Sequence, residues 1–111
     1  MSQWINVCHR QDLQEDSGVC VLINQQQIAV FYISKLDQIF AVGNYDPIAK
    51  VNVLSRAMVG DLGGEPMLAS PLYKQHYSLM SGQCFEQPEI SIPVYPVRII
   101  GDQVSIQVSG A

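Results

Sequence analysis

Apolar positions come in short runs rich in Val, Ile, Phe and Tyr, at residues 4–8, 19–23, 28–33, 39–42, 67–69, 94–100 and 104–108. Runs of this length, bounded by polar and turn-forming residues, predict β-strands, and the three-to-four spacing of a long amphipathic helix is scarce. Three connections have hairpin chemistry: Asn24-Gln25-Gln26, the turn from Lys35 to Asp37, and Gly101-Asp102. Asn, Asp and Gly tolerate the positive φ of tight turns, so the frame is expected to be antiparallel. One short helical turn is expected at Asp12-Leu13-Gln14-Glu15, with Asp12 as its cap. An all-β frame of sandwich or barrel type follows.

Between Asn44 and Met80 the strand pattern gives way to Gly- and Pro-containing loops, and regular strands return after Pro96. A loop-rich subdomain, about residues 44–80, inserted into a single domain of residues 1–111 accounts for this. A chain of 111 residues is too short for a nucleotide-binding domain plus a substrate domain, which excludes most self-contained redox enzymes. With 48% apolar and 14% charged residues it has ample material for one packed core and little of the charge density that keeps chains disordered.

The net charge of -4 repels phosphate backbones and anionic lipid, so neither nucleic acid nor a membrane surface is an expected partner. Within residues 44–80, Lys50, Arg56 and Lys74 balance Asp46, Asp61 and Glu65, so the flanking frame holds the entire net charge. A neutral, loop-rich lobe on an acidic frame is where a partner is expected, because loops displayed on a rigid scaffold often carry function. The start, Met-Ser-Gln-Trp-Ile-Asn-Val-Cys, has no basic leader before a long apolar run, and no later stretch is apolar enough for a membrane helix. A soluble, cytoplasmic protein is expected.

Catalytic signals are weak. Cys8, Cys20 and Cys84 are odd in number and lack the spacing of a disulfide scaffold, so reduced thiols are expected. Metal sites announce themselves as paired Cys or His a few residues apart, and Cys8, His9, Cys20, His76 and Cys84 form no such pair. Gly60-Asp61-Leu62-Gly63-Gly64 lacks the Lys-Ser or Lys-Thr ending of a phosphate loop and reads as a hairpin turn before Glu65. Glu15 with Asp16, and Glu86 with Glu89, read as solvated faces rather than acid/base pairs.

The stretch from Ile39 to Cys84 resembles a Rieske-type domain from which the iron ligands have been removed. Such a domain carries Cys-x-His on one loop and Cys-x-x-His on a second, together holding a 2Fe-2S cluster. Here Ala41-Val42-Gly43-Asn44 leads into Asp46-Pro47-Ile48 at the first loop, and Ser70-Pro71-Leu72-Tyr73 stands at the second, with Gly82 downstream. The degenerate ligand positions are thus Asp46, Ile48, Ser70 and Tyr73, a set poorly suited to iron. Apolar contact among Ile48, Leu72 and Tyr73 is expected to replace the metal clamp between the loops.

The whole chain resembles the small subunits of bacterial cytoplasmic NAD(P)H-dependent nitrite reductases, a family with a Rieske-like fold and no cluster. The resemblance runs through Ser2-Gln3-Trp4, Gly18-Val19-Cys20, Asn44-Tyr45-Asp46-Pro47, Val53-Leu54-Ser55-Arg56, Ala69-Ser70-Pro71-Leu72, Lys74-Gln75 and Gly82-Gln83-Cys84. Ala57 stands where that family is expected to have Gly, and Tyr77 where Phe is expected. The resemblance implies a non-catalytic subunit without a cofactor of its own. Its large-subunit partner is expected to carry FAD, a 4Fe-4S cluster and sirohaem and to reduce nitrite to ammonium with six electrons. The expected docking surface is the tips of the two former cluster loops, with Asp46, Pro47, Arg56, Tyr73, Lys74, Gln75 and His76 as candidates. A Rieske-type ferredoxin carrying electrons, or a stand-alone binding module, is the alternative.

Overall fold

Residues 28–33 are apolar at consecutive rather than alternate positions, the pattern of a strand covered on both faces, and the fold is organised around them. In the computed structural model, which describes residues 2–109, they form most of β3 (Gln26–Ile33). With β1 (Ser2–His9), β2 (Gly18–Ile23) and β4 (Gln38–Gly43) preceding or following it, β3 lies second from one edge of an antiparallel sheet. That sheet has the order β10-β4-β3-β2, where β10 is Val94–Tyr95. The β2–β3 hairpin turns at Asn24 and Gln25, both at positive φ as a two-residue turn requires.

One face of β3, with Ile28 and Val30, packs against Ala41 and against Val104, Ile106 and Val108. Those last three belong to β12 (Gln103–Ser109), the centre of a three-stranded sheet β1-β12-β11 in which β11 is Val97–Ile100. The other face, with Ala29, Phe31 and Ile33, packs against Leu54, Leu68, Tyr77, Leu79 and Cys84 of the 44–84 segment. The central sheet is therefore a shared wall, and the loop segment is seated on a core of its own.

Three expectations need correction. The run at residues 94–100 is two strands in two different sheets, because Pro96 has no N–H to continue a ladder and the chain changes sheets there. The segment after Asn44 is less irregular than its composition suggests. It holds β5 (Tyr45–Asp46), β6 (Val51–Asn52), β7 (Met58–Leu62), β8 (Glu65–Ala69) and β9 (His76–Ser78). Strand β7 is nearly all exposed and contains Gly60 and Asp61, so it leaves no hydrophobic pattern, and its backbone ladder to β8 holds it in place. The short helical turn is Arg10–Asp12, earlier than expected, and the Asp12 carboxylate closes it from its third position by accepting the His9 N–H at 2.9 Å.

Candidate functional site

The two former ligand loops are built alike. In the first, the Asp46 carbonyl accepts the Lys50 N–H at 2.6 Å, and the Asp46 side chain caps the turn by accepting the N–H groups of Ile48 (3.0 Å) and Ala49 (3.2 Å). In the second, the Ser70 carbonyl accepts the Lys74 N–H at 3.1 Å, and Ser70 Oγ accepts the Leu72 N–H at 3.4 Å. Both turns end on a lysine in the left-handed region, Lys50 at φ 60 and Lys74 at φ 63. Asp and Ser at the head of such turns act through the short reach of their oxygens to nearby backbone N–H groups.

The loops are joined to each other by the same two side chains. Ser70 Oγ donates to Asp46 Oδ2 at 2.5 Å, and the Tyr77 hydroxyl donates to Asp46 Oδ1 at 2.8 Å. Asp46 and Tyr77 are fully buried and Ser70 is 1% exposed. Burial raises the Asp46 carboxyl, but the donors from Ser70, Tyr77, Ala49 and Ile48 outweigh it and hold the group below the usual carboxylate range. Burial, then the bond to Asp46, pushes the Tyr77 phenol well above its ordinary value, so it stays a donor.

An apolar join was expected here, and the structure replaces it with a polar one. Leu72 is 53% and Tyr73 62% exposed, so neither bridges the loops; Ile48 is half-buried against the lobe's core. A carboxylate with two oxygens can gather four donors at once, which leucine and tyrosine at solvent-facing turn positions do not match. Ile48→Asp is expected to cost about 2 kcal/mol of stability, and Leu72→Ala to stay within about 0.5 kcal/mol of the parent. Urea unfolding of the two variants checks this, and equal losses would reinstate the apolar join.

The candidate docking residues divide. Asp46 is withdrawn from the surface, because its carboxylate is enclosed and fully engaged. Arg56, Tyr73 and Lys74 are exposed, and Pro47, Gln75 and His76 are half-buried. The His76 N–H donates to Glu86 Oε1 at 2.8 Å, and its Nδ1 lies 2.5 Å from Glu86 Oε2. Burial works against the Glu86 charge, but the His76 N–H and ring outweigh it and lower that carboxyl. This pair ties β9 to the segment that follows it.

Two contributions were not foreseen. Tyr77, a departure from the expected Phe, supplies through its hydroxyl one of the four donors to Asp46. Asn44 is a buried hub: its side chain accepts the Ser55 N–H at 2.6 Å and donates to Gln27 Oε1 at 2.8 Å, while its carbonyl accepts the N–H groups of Val53 and Leu54. Its position at the end of the Ala41-Val42-Gly43-Asn44 run is the signal for it. Ala57 follows a short turn at φ -68, an ordinary extended conformation, so that turn does not need the expected Gly.

The chain matches the Rieske-like [2Fe-2S] domain family over residues 3–107. It is 39% identical over 99 residues to the nitrite reductase (NADH) small subunit of Escherichia coli strain K12, covering 89% of this chain and 92% of that one. The solution structure of the nitrite reductase NAD(P)H small subunit from Erwinia carotovora superposes with a TM-score of 0.83 at 40% identity, covering 100% of this chain and 85% of that one. A 101-residue segment of the nitrite reductase NAD(P)H large subunit of Klebsiella oxytoca is 35% identical, covering 91% of this chain and 10% of that one.

A 2Fe-2S cluster does not fit the residues here. Asp46 and Ser70 are bonded to each other, Ile48 has no donor atom, and Tyr73 offers only a phenol in solvent. Among the described residues no three His, Cys, Asp or Glu side chains are grouped as a metal ion requires. Fold, loop placement and the relatives over nearly its whole length agree that the chain belongs to the family of nitrite reductase small subunits, within the Rieske-like domains.

Proposed function

We propose that this chain, as the small subunit of an NAD(P)H-dependent nitrite reductase, docks on the large subunit through its two joined loop tips and supplies no catalytic group. The observation that carries this is the Asp46–Ser70 bond, which turns the place of a redox centre into a rigid, hydrogen-bonded platform. The residues proposed to make the contact are Pro47, Arg56, Tyr73, Lys74, Gln75 and His76, since Arg and Tyr are enriched among residues that anchor interfaces. FAD, the 4Fe-4S cluster and sirohaem belong, on this reading, to the large subunit, which moves six electrons from reduced nicotinamide to nitrite. The small subunit binds the productive arrangement of that partner more tightly than others and raises its population in proportion.

The Klebsiella relative supports the partnership, because a large-subunit chain contains a segment similar to this one. A cytoplasmic site goes with this partnership; among the described residues no helix is long and apolar enough to cross a membrane. A Rieske-type ferredoxin would need the ligands that Asp46, Ile48, Ser70 and Tyr73 do not supply.

Co-purification with the sirohaem-containing large subunit, and NAD(P)H-dependent nitrite reduction with and without this chain, test the proposal. A stable complex whose activity falls when the chain is omitted is expected. Arg56→Glu combined with Lys74→Glu is expected to weaken assembly at least about tenfold. Unimpaired assembly by that double variant would remove this face, and no association by the parent chain would leave a stand-alone binding module.

A further inference from the structure

Segment 44–80 is neutral by count, but its charges are not mixed in space. Lys50 follows the turn headed by Asp46, next to the Asp46↔Val51 pair, and Lys74 closes the turn headed by Ser70. Since Asp46 and Ser70 are bonded, the two lysines belong to one joined tip. Arg56 precedes β7, whose first residue pairs as Met58↔Ala69, so it lies at the end of that ladder from which Ser70 leaves. All three cations are exposed. The acids go elsewhere: Asp61 and Glu65 stand at the opposite, hairpin end of β7–β8, where Leu62 pairs with Glu65, and Asp46 is buried under four hydrogen bonds. Glu86, near this end through its partner His76, is engaged by the His76 N–H and ring.

We infer that the joined tip is a cationic docking face that fits an acidic surface patch on the large subunit, so that charge steers assembly. The inference rests on the docking proposed above and adds the chemistry of the surface that receives it. The tip carries half of the chain's six basic residues on a molecule of net charge -4, giving it a strong charge asymmetry. The same loops and strand starts also expose apolar and aromatic side chains, Val51, Met58, Leu72 and Tyr73, which can supply contact area beside the charges. Backbone conformation supplies a second, independent observation. Lys50 and Lys74 both occupy the left-handed region, where Gly or Asn would close the same turns at lower cost. Placing a lysine at both turn ends keeps two charges on the tip against local backbone preference.

Association of the intact chain with the large subunit, followed by surface plasmon resonance from 50 to 500 mM NaCl, tests this. The association rate of the parent chain is expected to fall about tenfold or more over that range. Lys50→Glu, Arg56→Glu and Lys74→Glu together are expected to weaken binding about 100-fold and to remove most of the salt response. Lys50→Asn, Arg56→Gln and Lys74→Asn, which suit the left-handed turns, are expected to give an intermediate loss with an unchanged circular dichroism spectrum. Lys35→Glu, in the β3–β4 hairpin at the far end from Gly43, is expected to bind as the parent does. A tight complex with no salt response, or a loss with Lys35→Glu equal to that of the triple variant, would overturn the cationic face and leave the docking proposal standing. No complex at any salt concentration would overturn both.

Discussion

Asp46→Ala is expected to lower the unfolding free energy by about 3 to 4 kcal/mol, which for a domain of this size is a drop in melting temperature of roughly 15 to 25 °C. The substitution removes the acceptor shared by Ser70 Oγ, the Tyr77 hydroxyl and two backbone N–H groups, all at a site closed to solvent. Donors left buried without a partner carry their full desolvation cost, so the loss exceeds that of any one bond. Small domains are stable by only about 5 to 15 kcal/mol, so this is a large fraction of the total. Tyr77→Phe, which removes one donor and keeps the ring, is expected to cost about 1 kcal/mol, and thermal melts of the two variants check the ratio. An Asp46→Ala protein melting within a few degrees of the parent would show that the loops are held by other contacts.

The same carboxylate sets a pH dependence. Its folded-state pKa is depressed, so above the unfolded value, about 3.9, it is charged in both states and its stabilisation is fully present. As pH falls below that value the unfolded chain takes up the proton first, and stability is lost until the pH passes the lower folded value. Below about pH 4, stability of the parent is therefore expected to fall more steeply than that of Asp46→Asn, and urea titrations at pH 3 to 6 measure the difference.

Gly82→Ala is expected to cost at least about 3 kcal/mol or to prevent folding. Gly82 sits at φ 82, and a Cβ there would lie 2.1 Å from the Ile92 carbonyl oxygen, a backbone atom that has little room to move. The residue also clamps the chain on both sides: its N–H donates to the Ser78 carbonyl and its carbonyl accepts the Ile92 N–H at 2.9 Å. Gly101→Ala provides the comparison, since Gly101 also has positive φ, at 60, but nothing within 4 Å of the added carbon. It is expected to lose only about 1 kcal/mol, and similar melting temperatures for the two variants would rule out the close contact as the cause.

The backbone frame was largely legible because burial imposes a pattern on sequence. The continuous apolar run at residues 28–33 marks a strand enclosed on both faces, and the paired turn residues mark three hairpins, all of which the structure shows. Strand β7 left no such mark, since an exposed strand next to a hairpin needs only its ladder. The split of residues 94–100 hung on Pro96, whose missing N–H is visible in sequence but whose change of sheet is not.

The all-β class, the two ligand-free loops and the resemblance that goes with them depend on residue types at short spacings, so they can be read along the chain. How the loops are joined and where their charges stand depends on contacts made across the fold. Asp46, Ser70 and Tyr77 are 24 and 31 residues apart along the chain, counted from Asp46, and only folding turns an unremarkable carboxylate into the centre of a buried network. The same folding hides that carboxylate and sends Asp61 and Glu65 to the far end of a hairpin, so a segment with no net charge presents a cationic tip. Burial and ladder register act between residues distant in sequence, which is why composition could count these charges but could not place them.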